Sequence, residues 1–337
     1  MTVHHPLESR VVHQDESLTI RQVTDQPSIH HQPFFFVDAW DAAMSFLVLI
    51  SHRTGKPQIY IEREPGGELV QLTEEPALAE WSVIPSKDGR WIYYVAGQEG
   101  KRVSTRDGTV ETLAHFDSTE MREAGMVGAA MGTTALSASG RYWAVPVKAG
   151  KVSQFWMIDT EAQSAEVFLE APTIGHPQFC PDDEDLILYA GPMTDRVWVT
   201  DRAGNNRRIF EREHDLQWIT HEVWRPGHRT VLFVDWPNGM GEIDPDTGAT
   251  LHTAELVRQL EKYQLLVGRT LSVSPRKGVA TKLEGVSMMT LAEMMEIIED
   301  KVAFERILQT LDVPSYAISN PVCVGPIARR EPIAGNE

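Results

Sequence analysis

Two histidines and one arginine stand out as the residues of this 337-residue chain most able to do chemistry. His176 lies in Gly175-His176-Pro177-Gln178-Phe179, and His221 in Thr220-His221-Glu222-Val223-Trp224. Arg196 lies between them in Asp195-Arg196-Val197-Trp198. Each begins or interrupts a short apolar run of β type. Imidazole titrates near neutral pH and makes a serviceable base. Guanidinium grips a carboxylate through a planar fork. A base and a carboxylate-binding cation are what proton abstraction beside a carboxylate requires, because the cation offsets the charge that develops. Plainer readings stand beside this one. His221 also reads as a polar residue at a strand end, bonded to a neighbouring loop. Arg196 reads as a surface strand residue paired to Asp195 or Asp201, and His176 with Gln178 as a capped strand start. His30 and His31 fit either a polar arm or an inward-facing loop. Arg53, which follows a strand, also fits a brace for its turn. His4, His5, His13, His115, His214, His228 and His252 read as surface.

The scaffold that would position these residues is repetitive. Trp81-Ser82-Val83-Ile84-Pro85-Ser86-Lys87-Asp88-Gly89-Arg90-Trp91-Ile92-Tyr93-Tyr94-Val95 reads as strand, tight turn, strand, with Asp-Gly supplying the positive φ of the turn. Related units begin near Leu136, Pro181, Pro226 and Pro275, at spacings of 45 to 51 residues from Pro85 onward. Further strand pairs follow the turns, as in Gln58-Ile59-Tyr60-Ile61 with Leu69-Val70-Gln71-Leu72-Thr73. Four short strands per unit of this length predict an all-β chain, a β-propeller of about five to six recognisable blades in an incomplete ring. A β-sandwich or a run of unrelated hairpins is the alternative. The predicted boundaries are a loose polar arm over 1–16, the propeller over 17–285 with its pattern clear to about 250, and an α-helical, Pro-rich tail over 286–337. A helix is expected over 253–266. A stronger one is expected over 290–311, with Thr290 and Glu293 forming a capping box and a broad apolar stripe behind them. That stripe predicts docking on the propeller's open side or on a second subunit, hence a homo-oligomer.

The formal net charge of −17 argues against nucleic acid and against anionic membrane surfaces as partners. It leaves room for one basic cleft that takes a small acidic ligand. Cys180 and Cys323 form neither a zinc spacing nor a disulfide framework, which fits a reducing compartment. The first residues lack an apolar signal core, and the expected location is cytoplasmic.

Several segments together resemble the oligogalacturonate lyase family. They are Arg21-Gln22-Val23-Thr24-Asp25 with His30-His31, Ser51-His52-Arg53-Thr54-Gly55, Gly175-His176-Pro177-Gln178-Phe179, Arg196-Val197-Trp198 and Thr220-His221-Glu222-Val223-Trp224. The resemblance covers about 17–250. It implies a cytoplasmic seven-bladed propeller that cleaves short oligogalacturonates from pectin by β-elimination with a manganese ion. By the same resemblance His221 is the base and Arg196 the carboxylate partner. His176, Gln178, His30, His31 and Arg53 become substrate-binding residues. The family's metal is held by three histidines and a glutamine, two of the histidines and the glutamine in a Gln-x-x-His-x-His arrangement. That arrangement does not occur in this chain, and no histidine follows His252. The metal ligands are therefore unknown, and the expectation is a lyase impaired by their loss. The other expectation is a non-catalytic propeller that binds a carbohydrate or a protein.

Overall fold

In the repeated unit the first two strands must reverse within a few residues, and the turn residues show how. Gly89, Gly140 and Gly227 have φ of +72°, +76° and +72°, values that glycine adopts without a Cβ clash. Ser86 and Ser137 each accept the backbone N–H that closes the turn, from Trp91 at 3.0 Å and Tyr142 at 3.1 Å. At Gly89 a Cβ would also stand 2.6 Å from the buried Asp41 carboxylate.

A computed structural model describes residues 3–252, apart from 6–7, 16–17, 117–131, 213–216 and 237–238. The chain divides into two compact units, Met1–Trp236 with Ile243–Ala249, and Pro237–Glu242 with Thr250–Glu337. The described residues are all-β. The helices expected over 253–266 and 290–311 lie outside them, as does the docking expected of the tail.

Strand order is that of successive antiparallel meanders. The first sheet runs β1 (Val3–His5), β7 (Leu69–Gln71), β6 (Gln58–Glu62), β5 (Leu47–Ser51), β4 (His30–His31). The second runs β8 (Leu78–Pro85) to β11 (Val110–His115) through β9 (Trp91–Ala96) and β10 (Glu99–Ser104). The third holds β12 (Ala135–Leu136), β13 (Tyr142–Ala149), β14 (Val152–Asp159) and β15 (Ser164–Ala171). The fourth holds β16 (Gly175–Cys180), β17 (Asp183–Ala190), β18 (Val197–Asp201) and β19 (Asn206–Arg208). A further four-stranded sheet begins with β20 (Trp218–Trp224) and β21 (Val231–Trp236).

The inner strands of the larger sheets are covered on both faces and read as apolar runs rather than alternations, whereas the outer β15 and β19 are largely exposed. All five residues of β6 are buried. The core lies between neighbouring sheets. Ile50 and Ile61 pack with Val83 and Tyr94, and Tyr93 and Phe116 pack with Trp143 and Ile158. Phe155 and Ala144 pack with Phe179 and Tyr189, and Leu188 and Val199 pack with Ile219 and Phe233. Sheet therefore stacks on sheet in chain order, as propeller blades do. Each large side chain so buried is worth about 1.5–3 kcal/mol.

The N-terminal stretch differs from the loose arm expected of it. β1 pairs with β7, with Val3 opposite Gln71. β2 (Arg10–Gln14) and β3 (Thr19–Gln22) form a hairpin. Arg21 of β3 holds the buried Glu62 through two bonds, one of 2.6 Å to Oε2. Glu8 is bound by Arg53 at 2.7 Å and by the Thr24 hydroxyl. A stretch that is polar in sequence is pinned because its charges find partners on the first sheet.

Candidate active site

The same distortion recurs on the first strands of the fourth sheet and the sheet after it. Between β16 and β17 the register slips by one residue from Gly175 to Gln178. Between β20 and β21 it slips by one residue from Thr220 to Val223. Each extra residue makes a β-bulge, which bends the strand and re-aims a side chain. His176 and His221 sit at the two bulges, with φ of 50° and 55°. They are two of four non-glycine residues with positive φ among the described residues. A side chain costs energy in that region, and such residues concentrate at functional sites. β8 carries a larger irregularity, between Ala79 and Ile84.

Arg196 joins the two bulges. It precedes β18 and is buried, only 6% exposed. Its Nε donates to Glu222 Oε1 at 2.7 Å, and its Nη2 donates to His176 Nδ1 at 3.2 Å. Nη1 contacts Met193 Sδ at 3.5 Å. The surface pairing with Asp195 or Asp201 that the sequence allowed is thus replaced by a buried pairing with Glu222. Guanidinium can only donate, so the His176 contact leaves the lone pair of that ring on Nδ1. Gln178 binds back across the strands, its amide donating to the Glu222 carbonyl at 2.7 Å. Trp224 Nε1 donates to the Gln178 carbonyl at 3.0 Å. His176, Gln178, Arg196 and Glu222 are therefore one bonded group.

Electrostatics divide the labour within it. Burial, and then the nearby Arg196 charge, hold the His221 pKa below its ordinary value. A neutral ring with a free lone pair is the form a base needs. Burial pushes the Glu222 carboxyl up, and Arg196 only partly offsets this. Glu222 Oε2 has no hydrogen-bond partner among the described residues.

Phe34, Phe35 and Phe36 were not foreseen from the sequence. Phe35 meets the His221 ring edge-on at 5.1 Å, and Phe34 lies 5.1 Å from His176. Phe36 is 6.0 Å from His176. Three consecutive aromatics in a loop show no strand or helix period. Only their density was legible as a signal.

The remaining sequence-predicted residues lie elsewhere. The His31 and Trp81 rings lie tilted at 4.5 Å, Trp81 meets Phe34 at 5.7 Å, and Phe34 lies 5.1 Å from His176, so a chain of aromatic contacts links the two histidines. His31 Nε2 contacts Glu80 Oε2 at 3.1 Å, and His52 Nε2 contacts the same oxygen at 2.7 Å. His30 turns the other way, its Nε2 donating to the Gln26 carbonyl at 2.9 Å. Arg53 is engaged by Glu8, by Thr24 at 3.0 Å and by the Tyr60 ring. These contacts are those of the plainer reading of Arg53 as a brace, with its fork held by Glu8 and Thr24. A recess lined by Glu75, Glu99, Lys101 and His115 shares no residue with either group.

The described residues define an all-β fold of propeller-like sheets, most of them four-stranded. Among solved structures the chain is similar to oligogalacturonate lyase in complex with manganese, with a TM-score of 0.61 and 17% identity. That match covers 74% of this chain and 72% of the other. It is similar also to oligogalacturonate lyase from Vibrio parahaemolyticus, at a TM-score of 0.60, 17% identity and the same coverages of 74% and 72%. At this identity the likeness is one of fold. No family model matches the sequence, and no curated protein matches it.

The manganese in the first of those structures raises the question of which residues here fit a cation. The Gln-x-x-His-x-His arrangement is absent from the chain. Among the described residues, His31, His52 and Glu80 offer two imidazole nitrogens and one carboxylate oxygen, all within 4.8 Å of one another. That is a donor set a divalent transition ion accepts.

Proposed function

We propose that the protein is a lyase acting on short uronate oligosaccharides of the kind released from pectin, by β-elimination. The observation that carries this reading is the matched pair of bulges that place His176 and His221 about a buried, oriented guanidinium. A uronate has a weakly acidic hydrogen on C5, beside its carboxylate. His221 takes that proton, as its depressed proton affinity keeps the ring neutral. Arg196 faces the substrate carboxylate with the donors that Glu222, His176 and Met193 leave over, and holds down the charge that develops. Glu222 and Gln178 fix the fork and its distance from the base. The C4 oxygen then leaves as the C4–C5 double bond forms. Phe34, Phe35 and Phe36 keep water from the base and offer faces to a sugar ring. A bound divalent cation would supply further positive charge toward the uronate carboxylate, and His31, His52 and Glu80 are the residues here that would hold it. The buried free thiol of Cys180 supports a reducing, cytoplasmic setting for such an enzyme.

The test is purified protein with digalacturonate, with and without manganese, followed by the ultraviolet absorbance of the unsaturated product. Growth of that absorbance supports the reading, and its absence in both conditions overturns it. A second reading draws on the same aromatics. If Phe34–Phe36 fill the place of the substrate, the fold is a non-catalytic propeller that binds a carbohydrate or a protein. Digalacturonate binding by calorimetry without turnover would select that reading.

A further inference from the structure

The group formed by His31, His52 and Glu80 shares no residue with the base and the guanidinium, and its geometry asks for a positive charge between its three donors. We infer that these three residues form a binding site for a divalent transition ion of the manganese-to-zinc series. His31 comes from β4 and His52 directly follows β5, both strands lying in the first sheet. Glu80 comes from the irregular part of β8 in the second sheet. Three separate backbone segments thus aim one donor each at a common point.

The tautomer of His31 is fixed by its other nitrogen. Nδ1 lies 2.8 Å from the Gln32 carbonyl, which can only accept, so Nδ1 carries a proton. In the neutral ring Nε2 then presents a lone pair. That lone pair faces Glu80 Oε2 at 3.1 Å, and the same oxygen faces His52 Nε2 at 2.7 Å. Acceptor facing acceptor is repulsive unless a proton or a cation lies between them. A second-sphere carbonyl on the far nitrogen is also the usual arrangement for a metal-bound histidine, since it orients the ring and raises its basicity.

Accessibility fits as well. The side chains of His31 and His52 are 18% and 19% exposed, and that of Glu80 is 9% exposed. The site is therefore walled but open to solvent on one side. Two imidazoles and one carboxylate leave coordination positions for water or a ligand oxygen, the pattern of a reactive rather than a closed structural centre. Nitrogen and carboxylate donors together disfavour magnesium and calcium, which take oxygen ligands. Trp81 lies 4.5 Å from His31 and 5.7 Å from Phe34.

This inference stands without the lyase reading, since ion binding is measured directly. The full chain is stripped with a chelator and titrated with Co2+, followed by visible absorption, and with Mn2+ and Zn2+ by calorimetry. One ion per chain is expected. His52→Ala and Glu80→Gln should each weaken binding at least tenfold. His13→Ala, at an exposed ring held by Asp15, should leave binding unchanged. In the native chain, Co2+ should shift the ring resonances of His31 and His52 more than those of any other histidine. That last readout holds even if a variant fails to fold. The inference is overturned if the native chain takes up no ion, if His52→Ala and Glu80→Gln bind as well as the native chain, or if another pair of histidines shows the largest shifts.

Discussion

The group at His176, Arg196, His221 and Glu222 and the group at His31, His52 and Glu80 use similar parts with opposite polarity. Each sets two imidazoles around one charged centre, and each draws residues from two neighbouring sheets. In the first the centre is a guanidinium, buried and tied to a carboxylate. In the second the centre is a carboxylate, approached by both rings. The sign at the centre decides what each can do. A cation lowers the proton affinity of the neighbouring ring and invites an anionic ligand. An anion flanked by imidazole nitrogens invites a cation. The charge that the histidines surround therefore says more about each group than the histidines themselves.

The largest expected effect breaks the cationic group at its base. His221→Ala should lower elimination on digalacturonate by about 100- to 10,000-fold, the usual contribution of a general base. Arg196→Lys should lose most of the activity too, because an ammonium cannot hold Glu222 and a substrate carboxylate with one planar fork. Initial rates near those of the native protein in either variant would remove the role assigned to that residue.

Stability separates the two groups next. Arg196→Ala leaves Glu222 buried without its partner and should destabilise the fold by about 3–5 kcal/mol in urea unfolding. Adding Glu222→Gln should recover part of that loss, since the stranded charge is gone. The sign of the pH dependence follows from Glu222. Its folded-state pKa is raised above the unfolded value, so protonation favours the folded state. The deficit of Arg196→Ala should therefore shrink as pH falls through the raised folded-state pKa. An additive double variant with no pH dependence would show that the pair is not coupled.

Backbone strain at the bulge gives a smaller effect. His221 has a φ of 55°, where alanine is strained and glycine is not. His221→Gly should be more stable than His221→Ala by about 1 kcal/mol, with both inactive. Equal stabilities would mean that the bulge relaxes when the ring is removed.

The last effect is a shift rather than a loss. The His221 pKa is held below that of an ordinary imidazole by burial and by Arg196. The acid limb of kcat/KM should therefore lie below pH 6.5, and Arg196→Gln should move it upward in whatever activity remains. The same depression means that His221 contributes stability above pH 6.5, which is lost as pH falls through its folded-state pKa. A limb above 6.5 in the native protein would contradict the cationic surroundings assigned to this ring.

Much of the repeat architecture was legible in the sequence, and for a local reason. The Asp-Gly and Ser-x-x-Gly turns act within a few residues, and they mark the first hairpins of the second and third sheets. The apolar runs of β6, β9 and β17 report strands covered on both faces, and stacked sheets are what cover them. His221, Arg196 and His176 were legible as residue types and through a family resemblance. Their partners were not. Glu222 looked like one more acidic residue, yet it is buried on the Arg196 guanidinium 26 positions away in sequence. Arg53 looked like a ligand-binding cation, yet Glu8 from the polar N-terminal stretch fills its fork. His31 and His52 became a group only when a bulge in the next sheet delivered Glu80. Periodicity and turn chemistry are properties of neighbouring residues and can be read along the chain. Which charge meets which depends on side chains from different sheets converging on one point, and that emerges only when the chain is folded.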